Sequence, residues 1–185
     1  MKERWSTPLI ALHWLSAALL VGLVVVGFVM VDLPADTALR RGLGRAHSLT
    51  GVALGLLTLV RLVVRLRGPS PAPLPLAPLH RRGASFIQGL LYVGLFGMAA
   101  TGVATAYRSN WHGYLEGAEP SPVFDGLRSR QVHEGLVAGL LVLVGAHVIG
   151  ALVQQLRKGG TLRRIWPSLD ASRLPPAVQP KEQVK

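Results

Sequence analysis

The chain contains no cysteine. Disulfides, thiolate metal sites, iron–sulfur clusters and cysteine-attached haem are therefore all excluded. Acidic residues are scarce as well: nine Asp and Glu stand against 20 Lys and Arg in 185 residues, a formal charge of +11. Such an excess can serve nucleic acid, but here the basic residues flank apolar segments and form no continuous basic face, so no nucleic-acid partner is expected. Only 16% of the residues are charged, half are hydrophobic, and the mean hydropathy is positive. That balance is too apolar for a soluble domain of this length and sufficient for one compact membrane domain. The first apolar run follows Lys2 and Arg4 in the manner of a signal peptide. It is long, however, and no small-residue cleavage site stands out, so it reads as a retained helix.

What the chain does have is long apolar runs. A membrane-spanning helix needs roughly 20 mostly apolar residues, and four segments qualify: about 8–31, 46–66, 84–106 and 132–155. Pro8 suits a first helical turn, where its missing N–H is no loss. Asp32, Pro34 and Asp36 stop the first span. Gly68 and the prolines at 69, 71, 73, 75 and 78 stop the second and predict a stiff connector. Tyr107 to Asn110 end the third, and Gly159–Gly160 the fourth. The fold class is therefore all-α, an integral membrane four-helix bundle in one domain over 1–166, with a polar, proline-containing cytoplasmic tail over 167–185 expected to be disordered.

Direction follows from Lys and Arg near the span ends. With the N-terminus inside, fourteen basic residues fall on the inner side and six (Arg40, Arg41, Arg45, Arg108, Arg128, Arg130) on the outer side. The positive-inside rule then predicts both termini in the cytoplasm and a bacterial-type inner-membrane location, with lipid as a partner.

Ionisable side chains inside a span are costly and mark function. Four of six histidines lie in predicted spans: His13 in the first, His47 in the second, His133 and His147 in the fourth. The last two are 14 residues apart, about 21 Å along a helix and only about 40° short of full turns, so both imidazoles share one side. Each needs a partner at its own depth. The second span enters from outside, which matches His47 to His133; the first enters from inside, which matches His13 to His147. An iron porphyrin between two imidazoles fits each pair, and bundle interiors commonly house cofactors this way. Two haem b groups are expected. Two other uses of the same side chains stay open: hydrogen bonds between helices, and a zinc or copper ion, for which Glu134 is the one further ligand in reach of the outer layer. His80 and His112 fall in connectors and read as solvated. Arg61 lies 14 residues beyond His47, so it shares that face at inner-pair depth. Either it pairs with an inner-haem propionate, as Arg65 could a turn later, or it snorkels to the headgroups. Arg40, Arg41, Arg45 and Arg108 are candidates for the same role at the outer haem, or for attracting an anion there.

Glycines 51, 55, 89, 94, 97, 102, 139, 145 and 150 recur along the spans and allow close helix approach or room beside a macrocycle. Trp5, Trp14, Tyr107, Trp111, Tyr114 and Trp166 cluster near span ends, as an interfacial aromatic belt does.

In these residues the chain resembles the bacterial cytochrome b561 family of four-helix dihaem membrane proteins, over about residues 4–166. The resemblance rests on Leu12-His13-Trp14-Leu15, Ala46-His47-Ser48-Leu49-Thr50-Gly51 and Arg61-Leu62-Val63-Val64-Arg65. Leu91-Tyr92, Thr101-Gly102, Val132-His133-Glu134 and Ala146-His147 continue it in order. It implies His13, His47, His133 and His147 as axial ligands. It also implies electron exchange with the quinone pool, ubiquinone being the candidate substrate, and for some relatives oxidation of superoxide at the outer face. Relatives often carry histidines at the start of the third helix, where Ser85 and Gln88 stand here. With both axial positions filled, electron transfer and not bond-making at iron is the expected use. The first expectation is an oxidoreductase of superoxide:quinone type, or an electron-transfer protein exchanging with an outer redox partner. A haem-b anchor subunit for a periplasmic dehydrogenase is the second and a metal-ion transporter the third.

Overall fold

The computed structural model describes residues 4–71 and 76–166. Four long helices dominate it: α1 (Thr7–Asp32), α2 (Ala38–Arg67), α3 (Pro78–Arg108) and α5 (Arg128–Lys158), with a short α4 (Trp111–Glu116) between the last two. Each long helix is apolar and long enough to cross a membrane. At 26 to 31 residues they run to about 39–47 Å, beyond the roughly 30 Å hydrocarbon core, so their ends reach into the headgroups. No strand occurs among the described residues.

Polarity is inverted relative to a soluble bundle. Val21, Val93, Val142 and Ile149 are more than 60% exposed, whereas Ser16, Thr58 and Thr105 are buried. Those hydroxyls donate to Leu12, Leu54 and Thr101 carbonyls of their own helices at 2.7–2.8 Å, which removes the cost of burying them. The apolar surface belongs to lipid, and packing must come from close contact. Two helix pairs form, α1 on α2 and α3 on α5, joined where α2 meets α3. Gly55 makes that junction possible: a Cβ there would lie 2.9 Å from the Cβ of Ala99. Gly94 and Gly97 likewise accept Leu140 and Leu136 of α5. Gly51, Gly89, Gly139, Gly145 and Gly150 have open space instead.

The spans are longer than expected at most ends. α2 starts at Ala38, because Thr37 caps it by accepting from the Arg40 N–H, so the stretch 38–45 is helix and not loop. α3 starts at Pro78, which serves as a helix-starting proline and not as the last breaker of the connector. His80 is thus in the first turn of α3 and His112 in α4, and both are exposed. Pro73 and Pro75, Lys2 and the tail after Trp166 lie outside the described residues.

Two small elements close the ends. On the side of the α1–α2 and α3–α5 connections, residues 109–127 fold into a cap around α4. Tyr114, only 2% exposed, donates its hydroxyl to the Ala35 carbonyl at 2.5 Å. Trp111 donates to Ser48 at 2.9 Å and stacks near Tyr114 and Phe124. Arg45 donates to the Leu115 carbonyl. Tyr114 therefore belongs to the core of the cap and not to an aromatic belt, a role invisible in a pattern of aromatics near span ends. At the opposite end, Gly159 and Gly160 (φ 69° and 79°) turn the chain into a 3₁₀ turn, Leu162–Arg164. That turn meets the N-terminal segment through Trp5 N–H to the Arg164 carbonyl, so both ends of the described chain lie on one side.

A candidate cofactor site between the helices

The four span histidines form two pairs. The ring centroids of His13 on α1 and His147 on α5 are 6.4 Å apart, and those of His47 on α2 and His133 on α5 are 6.5 Å apart. In both pairs the ring planes cross at 66°. Two iron–imidazole bonds of about 2 Å and two ring radii of about 1 Å span about 6 Å, so the spacing of either pair suits one iron between its two rings. One helix, α5, supplies one member of each pair, as its 14-residue spacing requires.

Neighbouring groups orient the rings. The Thr101 hydroxyl donates to the Gly97 carbonyl at 2.7 Å, and its oxygen lies 3.1 Å from His133 Nδ1. With its proton committed to the backbone, that oxygen accepts from Nδ1–H and leaves Nε2 as the free, basic nitrogen. Gly102 and Gly27 sit behind the rings of the His47–His133 pair: a Cβ at either would lie 3.4 Å from Cε1 of His133 or His47. Gly27 was not among the glycines singled out from the sequence, since only the α1–α2 crossing shows that it faces His47. The buried Nδ1 of His47 lies by the α1 backbone at Leu23. At the His13–His147 pair, Arg61 donates to His13 Nδ1 at 2.8 Å, and its guanidinium lies 5.6 Å from the Tyr92 ring centre. Arg65 donates to Gln88 at 2.7 Å and stacks near Trp5 and Tyr92. Gln88 thus stands in a cluster of basic and aromatic groups beside the inner pair.

The small-ion alternative loses its third ligand. Glu134 is exposed and turned to Arg130, whose Nε lies 2.6 Å from its carboxylate. No group of three or more metal-ligating side chains occurs among the described residues. Of the outer arginines, Arg40 and Arg41 donate to the Leu33 and Asp36 carbonyls, and Arg108 is exposed.

The profile of the family described as prokaryotic cytochrome b561 matches residues 4–168. The chain belongs to this family. As a cytochrome b561 it is a bacterial-type multi-pass membrane protein that binds haem b and works in electron transfer. It is 31% identical over 101 residues to cytochrome b561 homolog 2 of Escherichia coli (strain K12), a match covering 54% of each chain. It is 25% identical over 182 residues to the probable superoxide oxidase CybB of Yersinia pestis, covering 90% of this chain and 98% of that one. The chain thus spans about half of the first relative and nearly all of the second. No solved structure gives a significant match. The residues present fit haem: paired imidazoles at porphyrin-spanning distance, glycines behind two rings and, among the described residues, no carboxylate grouped with them.

Proposed function

We propose that this cytochrome b561 holds two haem b groups, one between His13 and His147 and one between His47 and His133. Together they carry electrons across the inner membrane between an outer donor and the quinone pool. The observation that carries this reading is the pair of matched ring spacings, 6.4 and 6.5 Å, on histidines 14 residues apart along α5. Bound haem supplies a one-electron couple at each level. Each histidine pair would ligate its haem iron and so keep substrate from the metal. Thr101 fixes the His133 tautomer. The lipid-facing apolar surface keeps water from the interior. Both termini are cytoplasmic in this reading, which gives the excess of arginine to the inner face.

Superoxide is the proposed outer donor, a reading supported by the near full-length similarity to a probable superoxide oxidase. Two superoxide anions would each lose one electron and leave as dioxygen; one ubiquinone would take two electrons and two protons and leave as quinol. Prompt reduction of the purified protein by superoxide, giving b-type bands, is the expected result. Bands that form only alongside a co-purifying periplasmic protein would replace this reading with that of an anchor subunit for a dehydrogenase. Absence of b-type bands would end both.

Arg61 belongs to the inner site. A guanidinium only donates, and an imidazole bound to iron through Nε2 carries its proton on Nδ1. In the loaded site Arg61 therefore pairs with an acceptor other than His13, and a haem propionate matches its geometry. Arg61→Gln should lower the inner-haem potential and leave the outer one unmoved, because a positive charge favours the reduced form; an unaltered inner potential would remove this role.

A further inference from the structure

The two helices that carry the inner pair are the two that pack least. α1 lies on α2 and α5 on α3, and no comparable approach joins α1 to α5. His13 and His147 nevertheless have to hold a fixed separation across that side. The outer pair has firm support behind its rings, Gly27, Gly102 and Thr101, and the cap above it. No glycine stands behind either inner ring within contact distance.

What does bridge α1 and α5 is the turn beyond α5. Positive φ at Gly159 and Gly160 sends the chain back across the inner face, and the Gln155 side chain holds it by accepting from the Leu162 N–H at 3.0 Å. The turn then meets α1 at Trp14 and the segment before α1 at Trp5 and Arg4. The Trp14 indole donates Nε1–H to the Ile165 carbonyl at 2.7 Å, and its ring lies edge-on to Trp166 at 5.8 Å. Trp5 N–H donates to the Arg164 carbonyl at 3.3 Å, and Arg4 donates to the Trp166 carbonyl. Trp14 follows His13 in sequence, and the two rings meet edge-on at 5.5 Å. One indole therefore touches both the ligand and the turn.

We propose that residues 162–166 form a clasp that ties α1 to α5, with Trp14 as the residue through which it sets the orientation and retention of the His13 ligand. The inference rests on His13 and His147 being haem ligands. Trp14 acts as a positioning residue: its indole N–H fixes the ring, and the ring limits how far the imidazole can turn. An aromatic residue without the N–H keeps the packing but loses the anchor, so Trp14→Phe separates the two contributions.

The test uses the full-length, haem-loaded protein. Haem content, the low-spin electron paramagnetic resonance signals and the potentials of both haems are measured in wild type, Trp14→Phe, Trp166→Ala and His13→Ala. Both tryptophan variants should shift the inner-haem low-spin signal and release inner haem sooner on dilution into haem-free detergent, with the outer signal unmoved as internal reference. Trp14→Phe and Trp166→Ala combined in one chain should do little more than the stronger of the two alone, since both act through one clasp. Loss of one haem in His13→Ala with no change in either tryptophan variant would overturn the clasp and leave the ligand reading intact. Retention of both haems in His13→Ala would instead overturn the ligand reading. Equal shifts of both haems in Trp14→Phe would make the indole a general stability element and reject its positioning role. Should Trp166→Ala accumulate poorly, the milder Trp14→Phe decides alone.

Discussion

At the scale of single residues, a histidine becomes a ligand only when its neighbours settle which nitrogen is free. Thr101 does this for His133 because its own proton is spent on Gly97. Thr101→Val keeps the shape and removes the acceptor, so the ring loses its fixed tautomer and gains freedom to turn. Outer-haem retention should weaken by about 10–100-fold, the range found for groups that orient a metal ligand, with the inner haem unchanged; a haem-loss assay resolved by spectrum measures this. The two histidine pairs were legible in the sequence because helical geometry converts a 14-residue spacing into a direction and a depth. The contacts that orient their rings were not. Thr101 is one hydroxyl among many, and Gly27 faces His47 only because α1 and α2 cross there. Spacing placed Arg61 at the depth of His13, but its bond to His13 comes from a rotamer that spacing cannot give.

At the scale of elements, close approach substitutes for the hydrophobic driving force that lipid removes. The α2–α3 junction rests on Gly55 against Ala99, where an added methyl would sit at 2.9 Å from another. Gly55→Ala should destabilise the bundle by about 1–3 kcal/mol through overpacking and lower the content of both haems. Ala99→Gly in the same chain should restore them. Thermal unfolding followed by haem absorbance checks both. The spans were read from hydropathy, which marks the segment inside the hydrocarbon and is silent on the turns that extend beyond it. Hence α2 and α3 begin eight and six residues earlier than composition suggests. The α4 cap escaped notice for a related reason: six residues held by Tyr114 and Trp111 through contacts distant in sequence carry no periodic signal of their own.

At the scale of the whole molecule, the bundle is a two-sided object. One end bears the cap and the α1–α2 connection, the other the two ends of the described chain and most of its arginines. The absence of cysteine makes its orientation directly testable, since any introduced thiol is unique. Val123→Cys, in the exposed part of the cap, should react with a membrane-impermeant thiol reagent on intact cells. His80→Cys, in the first turn of α3, should react only after the membrane is opened. The reverse pattern would invert the protein and with it the outer and inner assignments.

The most direct measurement is the haem content and low-spin spectrum of the four single His→Ala variants in purified, full-length protein. His13→Ala and His147→Ala should lose the same haem, and His47→Ala and His133→Ala the other, each keeping the remaining one at wild-type potential. Any other grouping, such as His13 with His47, or four variants that all retain two haems, would contradict the account.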